Sequence, residues 1–192
     1  MLTGKRVHLR PPRRKDRASF LAQARASRRL HRGWVQPPET PLAYDAYVAR
    51  YGIASAAARH AGFLVVRNDD EALAGVVNFS EIVRGIFDSA YVGYYAFEPF
   101  AGDGYMAEAF VLALDFAFGR LKLHRIEANV QPTNRRSLAL VERLGFEREG
   151  YSRRYVKIGG RWRDHVRFAM LSEDWTKRRA DVRRGLALAL AR

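Results

Sequence analysis

The stretch Pro99-Phe100-Ala101-Gly102-Asp103-Gly104-Tyr105-Met106-Ala107-Glu108-Ala109 decides how this sequence is read. Two glycines within three residues let backbone N–H groups turn into one concavity. The run that follows, Tyr105–Phe118, is almost wholly apolar, so it predicts a buried helix with Gly119 as its C-terminal cap. Its two acidic residues, Glu108 and Asp115, are seven apart and share a face. A glycine bend at the open end of a helix offers unsatisfied N–H groups and a positive dipole end, which suit a pyrophosphate. No Gly-Lys-Ser/Thr follows, so the bend is not a P-loop. The spacing also fits G-x-G-x-x-A, but a dinucleotide fold needs an acidic residue at the end of the next strand, and Glu127 falls in mid-strand.

Working outward, the preceding strand runs Phe87–Phe97, with Gly93 inside it. Before it, Phe63–Val66 and Ala74–Phe79 read as strands joined by the Asn68-Asp69-Asp70 turn. Nearer the start, Lys5–Arg10 reads as a strand ended by Pro11-Pro12, and Lys15–Leu30 as a helix. A loop through Trp34 and Gln36-Pro37-Pro38 leads to Thr40 as cap and Pro41 as first residue of a second helix reaching about Ala58. After the buried helix come a strand, His124–Val130, and a helix opened by Asn134 and ended by Gly145, with Leu138, Val141 and Leu144 inward. Tyr151–Ile158 and Trp162–Leu171 flank Gly159-Gly160 as a hairpin. The order predicts an α/β (α+β) mixed sheet, mostly antiparallel, flanked by helices.

With 192 residues the chain has room for one domain and a sizeable core. The absence of cysteine excludes a disulfide scaffold, a thiolate nucleophile and any Cys-ligated metal. The five histidines (8, 31, 60, 124, 165) have no ligand spacing, so no metal is expected. No run of about 18 apolar residues spans a membrane, and no apolar stretch follows the basic start as in a secretory signal, so the expectation is a cytoplasmic protein without membrane contact. Net charge is +14. Residues 1–33 hold eleven Lys/Arg against one Asp, and residues 176–192 six against one, whereas the centre is balanced. Basic ends of this kind favour polyanions such as RNA or a ribosomal surface.

The glycine bend, together with Asn134-x-x-Ser137 and Leu144-Gly145-Phe146, resembles the GNAT superfamily of N-acetyltransferases. Within it, Asn78–Gly85, Tyr91-Val92-Gly93-Tyr94 and Gly160–Val166 resemble the bacterial ribosomal-protein-alanine N-acetyltransferases. The resemblance covers roughly residues 5–176, which gives one domain over 1–175 and a basic extension over 176–192. It implies the GNAT-like acyl-CoA N-acyltransferase fold, whose sheet splays between the fourth and fifth strands, here Phe87–Phe97 and His124–Val130. It implies acetyl-CoA as cosubstrate, held by Tyr95, Ala96, Phe97, Gly102, Asp103, Gly104, Tyr105, Met106, Asn134 and Ser137. Pro99 stands where the family has Arg or Gln, which removes a side-chain contact to the phosphates and leaves backbone donation.

The implied reaction is direct acetyl transfer to an amine, foremost the N-terminal α-amino group of a ribosomal protein. A small amine or amino acid is the alternative acceptor, and a non-catalytic ribosome- or RNA-binding factor the alternative class. Trp34, Asn78, Ser80 and Glu81 are expected at the acceptor. Base candidates are Glu81, Asp88 and Glu108, with Glu81 first because its strand should face the acceptor side. Ser137, ahead of Tyr155, would protonate the leaving thiolate. A monomer or homodimer is expected.

Overall fold

The structure, a computed structural model, describes residues 2–52 and 59–190. Its eight strands are β1 (Leu2–Thr3), β2 (Val7–Arg10), β3 (Ala61–Arg67), β4 (Leu73–Val83), β5 (Ser89–Ala96), β6 (Arg125–Val130), β7 (Glu147–Ile158) and β8 (Arg161–Leu171). They form one sheet in the order β1-β2-β3-β4-β5-β6-β8-β7. Every neighbouring pair is antiparallel except β5 and β6. That parallel pair is in register only from Ser89 to Tyr91 against Arg125 to Glu127. Beyond it β5 continues along β4 as far as Ala96 opposite Gly75, while β6 continues along β8 as far as Val130 opposite Val166. The two strands therefore part, and the expected splay is present.

Two cores hold the sheet from its two faces. On one, the buried helix α4 (Tyr105–Asp115) sets Phe110 and Leu114 against Val7, Phe63, Val77, Val92 and Ile126. On the other, α1 (Arg17–Ala26) and α3 (Pro41–Tyr51) set Phe20, Tyr44 and Tyr47 against Leu64, Val76 and Phe97. Side-chain alternation explains the division, because neighbouring strand residues feed opposite cores: Phe63 and Val65 one, Leu64 and Val66 the other.

Local chemistry places the turns. Thr40 caps α3, its hydroxyl accepting the Ala43 N–H at 3.2 Å. Asn134 caps α5 (Arg135–Arg143), its side-chain oxygen accepting the Ser137 N–H at 3.2 Å. Gly159 and Gly160 both have positive φ, as a primed two-residue hairpin turn requires.

Three expected elements differ. The single helix over Lys15–Leu30 is instead a 3₁₀ turn (Arg14–Asp16), α1, and α2 (Arg28–His31), broken at Ser27. The fully buried Ser27 hydroxyl accepts the N–H of Glu98, tying the break to the end of β5. Gly119 does not cap α4: the helix widens into a π turn over Phe116–Arg120, and Leu121 N–H returns to the Phe116 carbonyl. The second helix ends at Gly52, and the rest of its expected run, to Ala58, lies outside the described residues. β3, β4 and β7 run beyond their expected bounds, whereas β2, β5 and β6 are shorter than expected.

At the far end, α6 (Ser172–Leu190) crosses residue 176 without a break. Val182 and Leu186 pack on the main core. The buried Trp175 indole N–H donates to Asp115 Oδ1 at 2.9 Å, and Arg183 pairs with the other Asp115 oxygen. No described helix is long and apolar enough to cross a membrane.

Candidate active site

The parting of β5 and β6 opens a cleft of about 940 Å³. One wall is β5 from Val92 to Ala96, the other the end of β6 and the start of α5. Phe97 donates its N–H to the Ala74 carbonyl on the β4 side. The alternation of an antiparallel ladder then turns the peptide groups of Tyr94 and Ala96 into the opening, beyond the last β5–β6 pair at Tyr91, with the Ala96 carbonyl taken by His31. Phe97 itself is not part of this free edge, because its N–H is engaged and its ring is fully buried.

At one mouth lies the glycine bend. Gly102 has φ of +110° and Gly104 +82°, and a Cβ on Gly102 would meet no described atom within 4 Å. Gly104 is the N-cap of α4 and supplies no side-chain cap. The N–H groups from Gly102 to Met106 find no partner among the described residues, whereas those of Ala107 and Glu108 turn back to the Gly104 carbonyl. The donor-lined concavity therefore fits a diphosphate. Arg6 braces it from outside. Its guanidinium reaches the Asp103 carbonyl at 2.9 Å, lies 4.5 Å from the Tyr105 ring centre, and meets Glu108. Arg29, Arg135, Arg136 and Arg143 line the same cleft.

Along its floor, the Ser137 hydroxyl contacts the Tyr94 hydroxyl. Burial pushes Tyr94 up to about 12, so it stays protonated near neutrality. His31, 5% exposed, places Nε2 2.7 Å from the Ala96 carbonyl oxygen, and burial lowers its pKa. Trp34, Val35, Asn129 and His165 also line the cleft, and because Asn129 and His165 alternate with Val130 and Val166 of the α4-side core they form a mouth on the opposite face of the sheet. The loop carrying Trp34 is tied across it: Gln131 donates to the Gly33 carbonyl at 2.8 Å, and Gly159 N–H to Gln36 Oε1 at 3.0 Å.

Of the residues singled out in the sequence, Tyr95, Ala96, Gly102, Gly104, Met106, Asn134, Ser137 and Trp34 line this cleft. Asp103 and Tyr105 contribute backbone, their carbonyl and ring being held by Arg6. The others lie elsewhere. Glu108 accepts the N–H and Nε–H of Arg6, on the β1–β2 side of α4. Glu81 sits in a β-bulge with φ of +49°, exposed and 3.2 Å from Arg59, because the bulge between Ser80 and Val83 re-aims it. Asp88 occupies a turn at +37°, its carbonyl accepting from His124 and Arg125. Asn78 accepts from Tyr47 at 3.0 Å, and its neighbour Ser80 follows it on β4 opposite Tyr91. The Tyr155 hydroxyl lies 3.4 Å from that of Tyr91. The residues that sequence reasoning passed over are Tyr94, His31, Asn129 and His165. Only Tyr94 had a local signal, by alternating with Val92 on one strand face.

The Acetyltransferase (GNAT) domain family matches residues 6–147. The chain is 45% identical over 108 residues to the [ribosomal protein uS5]-alanine N-acetyltransferase of Escherichia coli, a match covering 56% of each. The chain thus spans little more than half the length of that curated relative. Its fold superposes on Mycobacterium smegmatis RimJ in complex with CoA-disulfide with a TM-score of 0.83 and 27% identity, covering 92% of this chain and 87% of that one. A spermidine N-acetyltransferase chimera of Vibrio cholerae SpeG and hSSAT superposes with a TM-score of 0.75 and 25% identity, covering 91% and 100%. A sheet parted between its one parallel pair of strands, a glycine bend at the helix beside it and the family match over most of the chain agree: the protein belongs to the GNAT acetyltransferase family.

Proposed function

We propose that the chain transfers acetyl from acetyl-CoA directly to the N-terminal α-amino group of a protein, with a ribosomal protein as acceptor. The observation that carries this reading is a cleft with a glycine cradle lined by unpaired backbone N–H groups at one mouth and a separate polar mouth at the other. The names of the Escherichia coli relative and of the CoA-bound RimJ neighbour support it.

Acetyl-CoA supplies an activated thioester. Backbone donors of Gly102–Met106 hold its diphosphate, and the arginines at α2 and α5 add positive charge. The free edge of β5 directs N–H groups at the thioester oxygen, where charge grows during attack. Ser137, backed by Tyr94, donates a proton to the departing thiolate. An α-amine, with a pKa of about 7.7–8.0, is partly neutral near pH 7.4, whereas lysine at about 10.4 is almost wholly charged. A site with no carboxylate in its lining suits the α-amine.

That lining also separates the acceptor classes. Among the described residues the cleft wall holds four arginines and no Asp or Glu, which disfavours a polycation such as spermidine. The basic termini extend the same charge, and in this reading they dock the enzyme on an anionic ribosomal surface, an attachment that weakens as salt rises. Incubating the protein and acetyl-CoA with an alanine-starting peptide, free amino acids and spermidine, with mass spectrometry of each, tests the proposal. Acetylation of the peptide's α-amine is expected; acetylation of spermidine alone would overturn it.

A further inference from the structure

At the mouth away from the glycine bend, His165 on β8 is 3% exposed and lines the cleft beside Trp34 and Asn129. Its Nδ1 lies 3.0 Å from the carbonyl oxygen of Arg163. A carbonyl can only accept, so Nδ1 bears the hydrogen and Nε2 keeps its lone pair. Nε2 has no hydrogen-bond partner among the described residues. Asn129 faces the same way: it sits opposite Arg167 on β8, two residues from His165. Its Oδ1 is buried without a partner. Two hydrogen-bond acceptors thus stand together at the polar mouth, and no acidic side chain lines the cleft among the described residues.

We propose that His165 Nε2 takes the proton from the attacking amine while Asn129 Oδ1 accepts its second N–H and orients it. The assignment rests on the acetyl-transfer reading above. In the step, the amine nitrogen bonds to the acetyl carbon and the carbon–sulfur bond breaks. The amine's proton passes to Nε2, and the thiolate leaves and takes a proton from the Ser137 side. His165 then returns its proton to water, which reprotonates Ser137, so the sum is amine plus thioester to amide plus thiol. A neutral amine approaching these two acceptors would point its N–H bonds at them and its lone pair toward the parted strands.

The surroundings keep the imidazole neutral. Arg163 and Arg167 flank it on β8, and the Tyr155 ring of β7 packs edge-on with centres 6.2 Å apart. From β6 comes the uncharged Asn129, from the residue just after that strand Gln131, and from the loop Trp34. Tyr91 of β5 reaches Tyr155, and Glu127 of β6 pairs with Arg125. The nearest carboxylate in sequence, Asp164, is held by the Tyr151 hydroxyl and the Arg154 N–H. Burial lowers the His165 pKa, so the base form dominates at neutral pH.

The full chain is tested as wild type and as His165→Gln with acetyl-CoA and an alanine-starting peptide. Calorimetric affinity for acetyl-CoA is expected to be unchanged, while kcat falls about 100-fold. The wild-type rate should fall steeply at low pH, because both amine and imidazole must lose a proton, and the variant should retain only the amine's limb. Asn129→Ala should raise KM for the peptide more than it lowers kcat. Wild-type kcat and an unchanged acid limb in His165→Gln would overturn the assignment. So would nitrogen NMR of the wild type showing neutral His165 protonated at Nε2, whether or not the variants fold. A wild-type chain that binds acetyl-CoA but transfers nothing to any amine overturns the acetyl-transfer reading and this assignment with it. Normal transfer with unaffected variants overturns this assignment alone.

Discussion

The imidazole Nε2 of His31 lies 2.7 Å from the carbonyl oxygen of Ala96, joining the end of α2 to the last residue of β5. The carbonyl accepts, so Nε2 bears the hydrogen, and Nδ1 is buried with no partner. Protonating Nδ1 would bury a charge and an orphan donor.

Burial holds the pKa of His31 below its ordinary value, so the unfolded chain binds the extra proton more readily than the native one. Stability therefore rises with pH through the histidine range and is lost as pH falls below about 6.5, levelling off under the native pKa. His165, also lowered by burial, adds in the same sense. Thermal melts from about pH 7 to about pH 5 should show Tm falling, with a shallower fall in His31→Gln. An identical slope in the variant would contradict this.

Gly104→Val should weaken acetyl-CoA binding by at least about tenfold. Valine is strained at φ of +82°, and its branched side chain obstructs the donors of the α4 tip. Calorimetry checks this, and wild-type affinity would mean that the phosphates are held elsewhere.

Asp16 receives the Arg10 guanidinium through two bonds, 2.7 and 2.8 Å, and also the Arg13 N–H at 2.9 Å. Both side chains are largely buried. Asp16→Ala leaves a cation unpaired at the join of β2 and α1, and should cost about 3 kcal/mol in urea unfolding. A loss under about 1 kcal/mol, as for an exposed pair, would show the pair to be solvated.

Trp175→Phe should remove about 1 kcal/mol, the indole bond to Asp115, whereas Trp175→Ala should remove about 3–5 kcal/mol by leaving a cavity between α4 and α6. Equal effects would place the energy in the hydrogen bond rather than in the packing.

Features written in adjacent residues were legible before the structure. The Asn134 cap, the Gly159-Gly160 turn and the glycine bend depend on chemistry within four residues of chain. The split of β5 from β6 was implied only through the family resemblance, because register between distant strands has no local signal. Glu81 was expected toward the acceptor, but a bulge reverses the alternation that such an expectation assumes. Glu108 reads as a free acid on a buried helix until Arg6, 102 residues away, is brought to it. His31, Asn129 and His165 come from α2, β6 and β8, and their meeting in one cleft depends on strand order and on the contacts that tie α2 to the end of β5. The break at Ser27 likewise depends on Glu98, remote in sequence.

The central claim is that the parted strands hold acetyl-CoA with its diphosphate on the α4 tip. Backbone amide NMR during an acetyl-CoA titration tests it most directly. The account predicts the largest shifts at Gly102–Met106, with a second group at Val92–Ala96 and Ser137. Shifts confined to any other surface, or none at saturating coenzyme, would contradict it.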